Sequence, residues 1–169
     1  SGDLDTATSL LSARPVAGDP ALCTDLSERA TALWRKRSKR FLGELSARVA
    51  ARHESSGEVA FLLEPDLKEG RGGLRDVHNI WWAEGAERVM LEEDDAGLAR
   101  AYELLLSVRV ELHRQTGRPG DRLVLQEQDA VASRLGYDDA DTLMAKVASS
   151  ARFVAWISDD VWDRIDSSL

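Results

Sequence analysis

The chain has 169 residues, a globular composition (43% hydrophobic, 31% charged, four prolines) and a formal net charge of −8. That length makes one domain with a real core, and the acidic balance argues against nucleic acid as the main partner. A single cysteine, Cys23, excludes a disulfide framework and reads as core filler in a reducing cytoplasm.

No apolar run approaches the length of a membrane span. The first ten residues are polar, carry Asp3 and Asp5, and are unlike a signal peptide. Ser1-Gly2 is compatible with a tag remnant, and so with a chain cut from a longer one. Leu4, Ala7, Leu10 and Leu11 fall at helical spacing, which predicts a short helix over 3–13, stopped by Pro15. Gly18-Asp19-Pro20 restarts the chain, with Asp19 as N-cap and Pro20 at the first helical position. One long helix is expected from Pro20 to about Glu54, with Leu22, Leu26, Ala30, Leu33, Phe41, Leu45 and Val49 on its apolar side and Gly57 as its stop. Arg29, Arg35, Lys36, Arg37, Lys39 and Arg40 make one stretch of it basic with no acid between them. Two readings of that patch stand side by side: a solvated helix face, or a docking surface for an anionic partner.

Residues 58–63 (Glu58 to Leu63, apolar in the middle) read as a short, buried, extended piece leading to Glu64-Pro65. The helix opened by Gly73 has two faces at 100° per residue. Leu74, Val77, Ile80 and Trp81 face inward; Arg75, His78, Asn79 and Trp82 face outward, as a second surface. After the acidic linker Glu92-Glu93-Asp94-Asp95, a helix capped by Asp94 or Asp95 runs to about Thr116, with Leu98, Tyr102, Leu105, Val108 (or Arg109) and Leu112 as its stripe and Gly117 as its end. Arg118 to Asp121 is a turn and Arg122 to Leu125 an extended piece. A helix from Gln128 to Leu135 closes at Gly136, and a last helix, capped near Asp138 or Asp139, carries Leu143, Val147, Val154, Ile157, Val161 and Ile165. The expected fold is all-α, a single bundle-like domain of five to seven helices with a Gly-rich connector at 64–73.

That connector is the most informative stretch. Residues 64–76 place Gly70, Gly72 and Gly73 among charged side chains and open a helix with Arg75 and Asp76 in its first turn. The glycines allow positive φ or close backbone approach, and the free N–H groups of the following helix make an anion-friendly end. A helix-opening turn with solvated charges is the plainer reading, Asp76 suiting the positive end of the helix dipole and, with Arg75, fixing how the turn enters the helix. Elsewhere the chemistry is sparse. His53, His78 and His113 lie on three separate elements with no metal-ligand spacing. Gly70-Arg71-Gly72-Gly73 lacks the Lys-Ser/Thr of a P-loop. The Asp pairs at 94–95, 138–139 and 159–160 sit at caps or turns and are not a strand-borne Asp-x-Asp.

The run Leu63-Glu64-Pro65-Asp66-Leu67-Lys68-Glu69-Gly70-x-Gly72-Gly73-Leu74-Arg75-Asp76 resembles the signature of the helical region in bacterial PII uridylyltransferases. Ser12-Ala13-Arg14 with Ala17-Gly18-Asp19 upstream agrees with it, as do Asp121-Arg122-Leu123, Gln128, Val131-Ala132 and Leu135-Gly136-Tyr137 downstream. Arg71 departs from the family's usual proline. Glutamine synthetase adenylyltransferases are similar too, but Leu74-Arg75-Asp76-Val77-His78 sits closer to the uridylyltransferases.

The resemblance implies a catalytically silent fragment of a multidomain enzyme: a nucleotidyltransferase domain, this helical domain, an HD-type hydrolase domain and two glutamine-sensing ACT domains. It implies that 1–18 is the tail of the transferase domain. The parent would use Mg2+ and UTP (or ATP) to modify the PII signalling protein, nucleotide choice lying mostly in the transferase domain. Lys68, Arg71 and Arg75 would then sit near the nucleotide or the PII loop, held by Glu69 and Asp76. A non-catalytic interaction module built on the 29–40 patch is the other reading.

Overall fold

The computed structural model describes residues 2–86 and 94–168, so Glu92 and Glu93 of the acidic linker lie outside the described residues. Among them the chain forms α1 (Gly2–Leu11), α2 (Pro20–Lys36), α3 (Ser38–Ser56), α4 (Leu74–Gly85), α5 (Asp95–Thr116), α6 (Leu125–Arg134) and α7 (Ala140–Asp166). The fold is all-α, as expected. Local signals set most of the boundaries. Asp19 caps α2 by accepting from Ala21 N–H at 2.9 Å, and Asp139 caps α7 by accepting from Thr142 N–H at 2.7 Å. Gly57, Gly117 and Gly136 end their helices at positive φ.

The 27 residues of α7 run about 40 Å, long enough to span both apolar clusters of the core. One cluster joins α1 to α4 with the C-terminal half of α7, around Trp34, Phe41, Leu42, Ile80 and Val161. The other joins α5, α6 and the N-terminal half of α7 to the connector, around Val59, Leu67, Leu105, Leu123 and Val147. The connector is therefore a core element of the second cluster.

Four expectations are corrected. The single long helix over 20–54 is two helices, broken at Arg37 (φ −107°, ψ 18°). The break brings the rings of Trp34 and Phe41 into a stack with centroids 5.0 Å apart. Trp34 Nε1–H also donates to the Trp82 carbonyl at 2.8 Å, a tertiary anchor with no local signal. Along α2 the expected apolar side is partly outward, with Leu22 72% exposed. The 58–63 piece buries only Val59; Phe61, Leu62 and Leu63 turn outward. Val59 N–H bonds Arg71 O at 3.0 Å, and Gln128 of α6, itself buried, donates to Leu63 O at 2.7 Å. Thus α6 begins at Leu125, three residues before the expected Gln128 (128 − 125), with Leu125 N–H donating to the Glu64 carboxylate at 3.0 Å.

Gly72 carries the tightest packing of the connector. Its φ is +81°, and a Cβ there would lie 2.3 Å from the carbonyl oxygen of Ala151 on α7. Gly72→Ala is expected to destabilise the domain by about 2 kcal/mol or more. Gly120→Ala, where a Cβ meets nothing within 4 Å, should stay within about 0.5 kcal/mol of wild type. Urea unfolding of both variants checks the contrast.

Candidate functional site

The connector is stitched down on every side. Asp66 Oδ1 accepts from the N–H groups of Lys68 (3.0 Å) and Glu69 (2.7 Å). Leu67 N–H donates to Asp121 O at 2.8 Å and Leu123 N–H to Pro65 O at 2.9 Å, which ties the loop to the strand-like piece before α6. Its carbonyls then fold over the start of α4: Gly73, Leu74 and Arg75 N–H groups donate to Gly70, Leu67 and Lys68 carbonyls, each at 2.9 Å. The loop thereby consumes the donors that the sequence left free, so this helix end is not an anion site.

Asp76 is the buried centre. Its carboxylate is 0% exposed. It accepts from Gly72 N–H at 2.8 Å, from His53 Nε2–H at 2.9 Å, and from the Arg52 guanidinium. Burial pushes its pKa up, but the hydrogen bond from His53 and the charge of Arg52 overcome this and hold it below the ordinary carboxylate value. Arg52 also donates to Glu69 O at 2.7 Å. One carboxylate thus fastens α3, the glycine turn and α4. Contrary to the sequence expectation, Asp76 does not hold Lys68, Arg71 or Arg75; it holds Arg52 and His53 of α3, 24 and 23 residues upstream.

The remaining predicted residues divide. Arg75 pairs with Glu69 at 3.0 Å, and Lys68 lies 3.6 Å from Glu69 and 3.7 Å from Asp121. Burial works against the Glu69 charge, while Arg75 and Lys68 lower its pKa. Arg109, which the sequence left as an alternative member of the α5 apolar stripe, holds Asp121 at 2.6 Å. Arg71 points elsewhere, to Glu58 at 2.8 Å and Asp159 of α7 at 2.6 Å. The structure therefore brings Lys68, Glu69 and Arg75 together and leaves Arg71 and Asp76 outside that group.

A cleft of about 360 Å³ opens between α1, α3 and α4, lined by Arg48, Arg52, Glu69, Arg75, Asn79 and Trp82, with Asp5 of α1 at its edge. Sequence reasoning missed Arg48 and Arg52, although their i, i+4 spacing puts both on one face of α3. The outward face expected for α4 is corrected as well. Asn79 is only 3% exposed, and His78 lies against the rings of Trp81, Trp82 and Tyr102. Burial, with Arg75 and Lys68 nearby, lowers the His78 pKa. The 29–40 patch is largely paired: Arg29 with Asp25, Arg40 with Asp3 and Glu44, and Arg35 with the Gly85 carbonyl.

Removing the buried carboxylate leaves Arg52 without its counter-charge. Asp76→Asn is expected to cost about 3 kcal/mol at neutral pH. Because the folded-state pKa lies below its ordinary 3.8, the stability Asp76 contributes is present above 3.8 and is lost as pH falls from there through the lower folded-state value. The gap between wild type and Asp76→Asn should therefore shrink on acidification, as urea unfolding at neutral pH and near pH 3 will read.

The sequence model of the GlnD PII-uridylyltransferase family matches residues 40–162. A bifunctional uridylyltransferase/uridylyl-removing enzyme of Streptomyces coelicolor is 44% identical over 167 residues, covering 99% of this chain and 20% of that protein. The enzyme of the same name from Mycobacterium tuberculosis is 37% identical over 91% of this chain and 20% of its own length. That of Erythrobacter litoralis is 36% identical over 80% of this chain and 16% of its own length. The chain thus spans about a fifth of the curated relatives it matches, or less. No solved structure matches. With the family match covering most of the chain and including the whole connector, the chain belongs to the GlnD PII-uridylyltransferase family.

Proposed function

We propose that this chain is the helical arm of an enzyme that uridylylates the PII signalling protein, lying after the nucleotidyltransferase domain and before an HD-type domain in the same cytoplasmic chain. Residues 1–18 serve as the tail of the transferase domain; the family match begins only at residue 40, beyond α1 and α2. The observation that carries the reading is the placement of Arg75 by Glu69 in the lining of the α1–α3–α4 cleft, with Lys68 beside the same Glu69. Such guanidinium and ammonium groups suit phosphate oxygens. In the parent they face the transferase cleft, as charge partners of UTP or of the PII loop. Arg71, tied to Glu58 and Asp159, acts in the fold.

The cleft's donors hold anions and do not ligate Mg2+. The metal that helps transfer the nucleotide is held by other parts of the parent. Among the described residues no group of three or more His, Cys, Asp or Glu side chains is arranged for a metal, and no helix is long and apolar enough to cross a membrane. The alternative, a docking module built on the 29–40 patch, is disfavoured by the pairing of that patch with Asp3, Asp25 and Glu44. Transfer of AMP, as in the glutamine synthetase adenylyltransferases, is disfavoured by the names of the relatives.

In the full enzyme, Arg75→Ala is expected to lower PII uridylylation roughly ten-fold or more. The urea midpoint of the helical arm should move little, because the Arg75 side chain is partly exposed. Wild-type transfer rates in that variant would reduce the connector to a structural clasp.

A further inference from the structure

Asn79 lies on α4 at the floor of the α1–α3–α4 cleft, and only 3% of it is exposed. Its carboxamide makes no hydrogen bond to the protein among the described residues. Its amide opens into the cleft: the side-chain atoms buried without a partner among the described residues are Ser158 Oγ and Trp162 Nε1. Around it stand three guanidinium groups. Arg48 and Arg52 are one turn apart on α3, and Arg75 comes from the first turn of α4. Arg52 is fixed by Asp76 and by the Glu69 carbonyl, so it is a preorganised charge. Among the described residues Arg48 is matched by Asp5 of α1 alone, whose side chain is 61% exposed. An ion pair that open to water holds weakly and exchanges readily.

We propose that this cleft is a phosphate-binding site on the chain itself, with the Asp5 carboxylate as a resident stand-in for the ligand. A phosphate or diphosphate group displaces Asp5 from Arg48. It takes charge-assisted hydrogen bonds from Arg48 and Arg75 and accepts from the Asn79 amide. Arg52 adds its fixed charge from below. Trp82, on the cleft wall, offers an indole to any base the phosphate carries. The site concerns this chain by itself and stands whether or not Arg75 governs the transfer step of the parent.

The test is calorimetric titration of this 169-residue chain with inorganic diphosphate at low salt, with circular dichroism to verify that each variant folds. Saturable binding at one site is expected. Asp5→Asn should tighten it about five-fold by removing the competitor, and Arg48→Gln should weaken it roughly ten-fold. Arg134→Gln, on the exposed side of α6, should leave it unchanged. UTP as a second probe separates the sources. Tighter binding than diphosphate, with tryptophan quenching lost in Trp82→Phe, assigns the site to a nucleotide; equal affinity assigns it to free diphosphate. Absence of binding in both wild type and Asp5→Asn overturns the proposal, as does an affinity that Arg48→Gln leaves unaltered. Either result with a damaged Arg75→Ala enzyme would leave the transferase role standing and remove only the cleft.

Discussion

The buried Asp76 carboxylate is the constraint around which the N-terminal half of the domain is arranged. A lone carboxylate at full burial is costly, and the fold answers it with a guanidinium, an imidazole N–H and a backbone N–H. Those donors come from α3 and from the glycine turn, so satisfying one side chain fixes the relation of three elements. Arg52, having reached Asp76, also donates to the Glu69 carbonyl. That second bond sets the position of the residue that in turn holds Arg75 and Lys68. The Arg75 charge that lines the cleft is thus positioned from beneath.

The three glycines of the connector have a steric explanation. At positions 70, 72 and 73 a Cβ would lie under 3.0 Å from backbone oxygen of the loop or of α7. Only without side chains can the chain turn under α7 and close its carbonyls over the start of α4. The departure at Arg71 is equally intelligible. Its side chain leaves the loop toward Glu58 and Asp159 and pins the connector to α7, a role proline could not fill. A stretch that invites comparison with phosphate-binding glycine loops has its N–H groups occupied by backbone carbonyls and by the Asp66 and Asp76 carboxylates. The cationic side chains that line the cleft come from the neighbouring helices: Arg48 and Arg52 from α3 and Arg75 from α4.

The N-terminal helices show the same economy of charge. The basic stretch over 29–40 sits in an acidic chain, and Asp3 of α1 meets Arg40 at 3.1 Å, while Asp5 meets Arg48. The acids near the start of the chain are therefore counter-ions for α3. Part of what α2 leaves outward is apolar, with Leu22, Leu26 and Leu33 exposed.

The sequence by itself determined the helical class, most helix ends and the identity of the important loop, because these rest on local physics. Apolar periodicity, an aspartate before a helix and a glycine after one act within a few residues. It also marked Glu69, Lys68 and Arg75, which lie close together along the chain. Only the tertiary structure decided that Asp76 serves Arg52 and His53, that Arg71 faces α7, and that Arg48, Arg52, Arg75 and Asn79 share one cleft. It alone broke the long helix at Arg37, where neither glycine nor proline stands. The reason is the same in each case. Burial of Trp34 against Trp82, or of a carboxylate against an arginine 24 residues away, is a contact between distant segments. No local pattern encodes which partner the fold will bring.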